Sequence, residues 1–363
     1  MRRFLCCVLA ALMLIVSVGC GSKPAQEAPA ATAAVAEPAP SAEAPEVTQA
    51  PVETEPVFTG TPYLKASSVM LSIVGETDDL YVGVMPREEV TFESDDESVV
   101  TFEDGVLTAV GVGETTVRAI CGDKTVECKA GCLAADEAEL KTLGKEVLRS
   151  PKRLPPVIDM ESPCTDFTDA VIIGDSITLF MFQWEQKYDY LGEVQYLTRG
   201  GVSLNGFVLR FKNVFYRGQE MYLEDAIAAT GAKKVYIMMG QNDLASKARG
   251  KIMDNWNILL ERIREKAPDV EIYFQSCIPE FQEDYEVDDK NPRIFAYNDQ
   301  LREFARENGD HFIDLRYYIE DHQGRMPQCY SQGNYHMNEQ GCYVWMQMLR
   351  FYAQLEKEGG ILQ

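Results

Sequence analysis

The alternation of apolar and polar positions divides this chain before any motif is considered. Phe4 to Val18 is an almost unbroken apolar run behind the basic pair Arg2 and Arg3. From Gly21 to about Val57 large apolar residues nearly vanish, and Ala, Pro, Glu, Thr and Ser dominate. Such a stretch cannot bury enough surface to offset its chain entropy, so residues 21–60 are predicted to be a disordered tether. Extended Pro-rich chain rises about 3.1 Å per residue, enough to hold a domain roughly 100 Å from its anchor. Over residues 61–133, short β-type runs such as Val69–Val74 and Glu114–Ile120 alternate with turns containing Gly, Asp and Glu. That spacing predicts a small β-sandwich. Asp136–Leu148 has helical spacing with acids first and bases last, as the helix dipole favours, and predicts a helical linker over 134–165.

From residue 166 to 358 strand-like and amphipathic helical patterns take turns. Ala170–Ile173, Val194–Leu197, Lys234–Met239, Val270–Phe274 and His311–Leu315 read as strands. Met221–Thr230, Asn255–Lys266, Ile294–Asn308 and Cys342–Lys357 read as helices. Repeated β-then-α units predict an α/β fold, a three-layer doubly wound parallel sheet, in which chemistry sits at the carboxyl ends of the strands.

Charge and cysteine content narrow the partners. With 57 acidic against 34 basic side chains the 363 residues carry a formal net charge of −23. Nucleic acid, which is bound through clustered Lys and Arg, is not an expected partner. The leader is too short for a membrane span and reads as an export signal. Of ten cysteines, Cys6, Cys7 and Cys20 fall in or at the end of the leader, and the remaining seven are an odd number. A disulfide between Cys121 and Cys128 across a hairpin is expected; no standard zinc spacing accommodates Cys121, Cys128 and Cys132.

Candidate chemistry collects at the predicted strand ends. Gly174-Asp175-Ser176 follows the first strand and opens a helix, where free N–H groups favour developing negative charge; a plain helix N-cap is the structural alternative. Arg199-Gly200-Gly201 follows the second strand, and Gly240-Gln241-Asn242-Asp243 the third. An Asn side chain there can donate to an oxyanion, and a turn or N-cap explains it equally well. The histidines are His311, opening a strand, His322, in a polar turn, and His336, in a loop before the last helix.

In this order and spacing, Gly-Asp-Ser, the second-strand glycine, Gly-x-Asn-Asp and the late His336-Met337-Asn338 resemble the four blocks of the SGNH (GDSL-like) serine hydrolases, over about residues 166–356. Tyr297-Asn298 and Phe312–Leu315 support the likeness. The resemblance implies a flavodoxin-like sheet and a serine esterase with Ser176 as nucleophile and His336 as base. It implies an oxyanion hole made of the Ser176 N–H, the Gly201 N–H (or, one residue earlier, Gly200) and the Asn242 side chain, with no cofactor and no metal. The sequence departs from the family at Gly333, where an Asp usually supports the histidine; Asp321, Asp314, Glu339 or a backbone carbonyl are the possible substitutes, and without one a weakened enzyme results. Ser94–Val117 resembles the bacterial Ig-like domain of group 2, a spacer or adhesive module on surface proteins. Ser17-Val18-Gly19-Cys20 resembles the lipobox of bacterial lipoproteins, which implies residues 1–20 as leader, lipidation of Cys20 and anchoring at the cell surface. A surface location with an Ig-like spacer makes an acylated polysaccharide or peptidoglycan, with O-acetyl esters, the expected substrate, and a monomer is expected. A non-catalytic glycan-binding protein and an acyltransferase with the same Ser–His site are the rival readings.

Overall fold

The computed structural model describes residues 58–246, 250–282 and 289–358, which fall within one compact unit, Thr54–Gln363. The leader, Cys20 and nearly all of the expected tether lie outside the described residues. Among the described residues no helix is long and apolar enough to cross a membrane.

The first part is all β. Its strands are β1 (Ser68–Ile73), β2 (Thr77–Asp79), β3 (Thr91–Ser94), β4 (Val100–Glu103), β5 (Val106–Ala109), β6 (Gly113–Cys121) and β7 (Lys124–Ala134). They form a three-stranded sheet, β2-β5-β4, and a larger one, β3-β6-β7-β1, extended at its edge by β8 (Arg153–Leu154). Period-two alternation explains the shared core: Val69 and Leu71 of β1 and Val117 and Ala119 of β6 point inward with Phe102 and Leu107, all buried.

Two expectations fail here. Cys121, Cys128 and Cys132 are free thiols, as are the other described cysteines. The β6–β7 register pairs Cys121 with Lys124 and Cys128 with Val117. The two sulfurs therefore stand four rungs apart, roughly 14 Å along the ladder, far beyond disulfide reach. The expected linker helix is broken into α1 (Glu137–Leu140) and α2 (Lys145–Leu148), because Gly144 is extended between them. The chain then joins the β sheet as β8 instead of continuing as helix; Pro151, Pro155 and Pro156 leave no donors for another turn.

The second part is the predicted α/β unit. Its central strands are β9 (Ala170–Gly174), β10 (Gln195–Thr198), β13 (Lys234–Met238), β14 (Glu271–Gln275) and β15 (His311–Ile313), preceded in the second crossover by a hairpin, β11 (Val214–Tyr216) and β12 (Gln219–Met221). All central pairings are parallel, in the order β10-β9-β13-β14-β15. This is the doubly wound order in which the first strand is flanked by the second and third. Alternate residues feed two cores. Ile172, Tyr236 and Tyr273 pack with α3 (Ser176–Tyr188) and the last helix, α9 (Glu339–Lys357). Val171, Ile173, Val235 and Phe274 pack with α5 (Leu223–Thr230), α7 (Ile252–Lys266) and α8 (Asn291–Asn308); α4 (Leu204–Val208) also belongs to this layer, and α6 (Gln241–Leu244) follows β13.

The core on the α3–α9 side runs without a break into that of the β sheets. Buried Arg153 joins them through Asp78, 2.6 Å away, and Glu320, 2.7 Å away, with its guanidinium over Tyr317. His322, expected in a polar turn, is buried there with Nδ1 3.2 Å from Ser72 Oγ. Burial pushes its pKa down to about 4, so it stays neutral at this junction.

Candidate active site

Sheet register decides the site. Gly174 at the end of β9 lies level with Thr198 of β10 and Met238 of β13. The three chain segments that follow, 175–176, 199–201 and 239–242, therefore leave the sheet from one rung at the topological switch point. Asp175 caps α3 by accepting from the Ile177 N–H at 2.9 Å, which makes Ser176 the first helical residue. Its N–H is one of the four that have no acceptor within the helix.

His336 arrives from the other end of the unit, on the loop before α9, and its Nε2 stands 3.0 Å from Ser176 Oγ. That is hydrogen-bond distance for a nucleophile and its base. Burial lowers the imidazole's affinity for protons below its usual value, favouring the neutral base. Its face stacks on Phe180, with ring centroids 4.3 Å apart and planes at 19°. Phe180 lies one helical turn beyond Ser176, so a single helix carries the serine and the platform for its base. The sequence reading missed Phe180; the i,i+4 spacing from Ser176 was the available signal.

No described carboxylate bonds to His336. Gly333, at the family's Asp position, has φ +125°, a conformation that an L side chain adopts only under strain. Of the substitutes, Asp321 accepts the N–H groups of Gln323 and Arg325, Asp314 pairs with Arg302, and Glu339 accepts from Tyr188 and Lys187. Each is committed elsewhere. His311 lies at the opposite, amino end of its strand, stacked on Tyr273.

The oxyanion side is built from interlocked loops. The Asn242 amide donates to Asp175 Oδ2 at 2.9 Å and to the Val202 carbonyl at 2.8 Å, tying the third loop to the first two. Both of its N–H groups are engaged, so for the amide to donate to an oxyanion one of these bonds must be shared or exchanged. Asp243, fully buried, accepts from the N–H groups of Leu204 and Asn205 at 2.9 and 3.0 Å and fixes the segment after the glycines. Gly201 has φ +74°, with open space where a Cβ would stand, whereas a Cβ at Gly200 would lie 3.9 Å from that of Ser176. Of the two glycines, Gly200 is the one beside the serine. Desolvation, with the neighbouring Asp243 charge adding to it, pushes the Asp175 carboxyl up to about 6.

Tyr297 and Asn298 hold the sheet edge. The Tyr297 hydroxyl accepts from Trp256 Nε1 and donates to the Met239 carbonyl, at 2.8 and 2.7 Å. Asn298 bonds both backbone groups of Cys277.

A serine and a histidine thus stand within bonding distance at the switch point of a parallel α/β sheet. Residues 172–343 match the GDSL-like Lipase/Acylhydrolase family. This part of the chain is a GDSL-like lipase/acylhydrolase domain, and the protein is a carboxylic ester hydrolase. No curated protein matches the chain. Among solved structures it is similar to a GDSL-like lipase from Bacteroides thetaiotaomicron, at 16% identity and TM-score 0.42, over 53% of this chain and 91% of that one. It is also similar to a carbohydrate esterase family 3 protein from Talaromyces cellulolyticus, at 16% identity and TM-score 0.38, over 52% and 98%. A third is Axe2, an acetylxylan esterase from Geobacillus stearothermophilus, at 18% identity and TM-score 0.36, over 52% and 93%.

Proposed function

We propose that the protein hydrolyses O-acyl esters, foremost O-acetyl esters, on cell-wall or other polysaccharides outside the cytoplasm. The observation that carries the mechanism is the 3.0 Å approach of His336 Nε2 to Ser176 Oγ. In this reading His336 takes the hydroxyl proton as Ser176 attacks the ester carbonyl. The Ser176 and Gly201 N–H groups, with Gly200 as the alternative, and the Asn242 amide receive the oxyanion. The proton on His336 then passes to the leaving sugar oxygen, and water releases the acyl group by the same route. The polysaccharide assignment is supported by the sequence of the leader ending in Cys20, by the Pro-rich stretch after it and by the resemblance of Ser94–Val117 to an Ig-like spacer. In this reading the protein is a monomer, lipid-anchored at the cell surface.

Hydrolysis of 4-nitrophenyl acetate, acetylated xylan and acetylated peptidoglycan by the protein, beside Ser176→Ala and His336→Ala, tests this reading. Both variants are expected to lose at least about 10³-fold in kcat; activity retained in either overturns it. One observation favours a second reading, a glycan-binding protein with little turnover: among the described residues no carboxylate bonds to His336. Glycan binding equal in wild type and Ser176→Ala, with no ester cleavage by either, would support it, and transfer to an added sugar outrunning hydrolysis would mark an acyltransferase.

A further inference from the structure

Between α3 and α9, walled in part by Gln332 and Asn338 of the loop that carries His336, lies a cavity of about 680 Å³. The serine chemistry does not use it. Its walls include Trp184, Tyr188, Tyr190 and Tyr343, with Gln332 and Gln340 exposed at the rim. Phe180, Trp184 and Tyr188 follow one another at four-residue spacing on α3. They form a single ridge that steps about 6 Å along the helix axis per residue named. The first member holds His336, and the next two open into the cavity. Trp184 stacks with Tyr188 and Tyr188 with Tyr190, both pairs at 19° between planes, with centroids 6.5 and 5.3 Å apart. Tyr343 closes the row edge-on to Tyr190 at 5.3 Å.

The geometry points to this row as a subsite for the sugar rings of a neutral pyranoside chain, which it aligns so that a substituent ester reaches Ser176. This rests on the polysaccharide reading above and deepens it. A pyranose offers an apolar C–H face and a rim of hydroxyls, which suits a wall of aromatic side chains bordered by amides. A polyanion is opposed by Glu339 in the wall and by the net charge of −23. Lys187 does not disturb the fit. Its ammonium lies over the Trp184 and Tyr188 rings but is engaged by Tyr188 and Glu339 and does not line the cavity.

The test uses the full chain. In the Ser176→Ala background, calorimetry measures binding of unacetylated xylo-oligosaccharides and of N-acetylglucosamine oligomers, two sources of the same ring chemistry. At least one series is expected to bind, and Trp184→Ala to weaken it about tenfold, as aromatic anchors do. In the active protein, kcat/KM for the acetylated oligosaccharide is taken relative to 4-nitrophenyl acetate. Trp184→Ala lowers that ratio about tenfold, through KM. Tyr343→Ala serves as a second variant should Trp184→Ala unfold. An unchanged ratio with unchanged affinity overturns the subsite. So does loss of activity confined to a long-chain acyl ester, which would make the cavity an acyl site. If no ester is cleaved by the wild type, the esterase reading falls, and oligosaccharide binding still decides the subsite. If 4-nitrophenyl acetate is cleaved and neither oligomer binds, the subsite alone falls.

Discussion

Phe180→Ala asks what orients the His336 imidazole, to which no described carboxylate bonds. In the wild type the ring lies on Phe180 at 4.3 Å and reaches Ser176 Oγ at 3.0 Å. An aromatic stacking contact contributes about 0.5–1.5 kcal/mol beyond the area it buries. Removing it releases the ring from the bonded orientation by the same amount, which is about a two- to tenfold fall in rate. A second effect has its own signature. Burial is what lowers the His336 pKa, and truncating Phe180 opens one face of the ring to water, so the pKa rises toward about 6.5. The base works when neutral, so activity appears as pH rises through that pKa. In the wild type the acid limb of kcat/KM falls below about pH 6.5, and in Phe180→Ala it moves upward. The loss measured at pH 6 therefore exceeds that at pH 8.5, where both proteins hold a neutral base and the orientation effect alone remains. The assay is 4-nitrophenyl acetate hydrolysis over pH 4.5–8.5, with Phe180→Leu keeping the ring covered. Leu should restore the acid limb without restoring the full rate. A Phe180→Ala profile within twofold of wild type at every pH, with an unmoved limb, would refute the positioning role.

Two further perturbations test the scaffold. Arg153→Met leaves the buried carboxylates of Asp78 and Glu320 without their common partner and should destabilise the protein by about 3–5 kcal/mol in urea unfolding. Adding Asp78→Asn and Glu320→Gln should return much of that, and a loss below about 1 kcal/mol for Arg153→Met would contradict the account. Gly240→Ala places a Cβ 2.6 Å from the Tyr297 ring at φ +122°. It should cost about 1–3 kcal/mol and depress kcat by shifting Asn242, and wild-type stability with wild-type kcat would show that the turn needs no glycine.

Much of the α/β unit was legible in the chain because each β-then-α step writes its own periodicity, and a parallel sheet puts loop residues at one edge whatever their distance in sequence. The resemblance in motif order names Ser176, Asn242 and His336, and the fold brings the first and last of these within 3.0 Å. The α/β part also kept its strands and helices to within a few residues, since buried runs such as Ala170–Ile173 and Lys234–Met239 have little alternative. Gly144 was a visible break in the 136–148 pattern, yet helical spacing on either side masked it, and the recruitment of Arg153–Leu154 as an edge strand depends on a partner more than seventy residues away.

Other features belong to tertiary structure alone. Pairing in the β6–β7 hairpin is set by a turn at Gly122-Asp123, and that register, not the seven-residue spacing, holds Cys121 and Cys128 apart. Nothing local distinguishes His322 as a buried neutral group facing Ser72. The sequence by itself determined the kinds of element and which residues could do chemistry, because both follow from side-chain periodicity and functional groups. Only packing decided which of those groups meet and in what protonation state, because contact and desolvation arise between segments far apart in the chain.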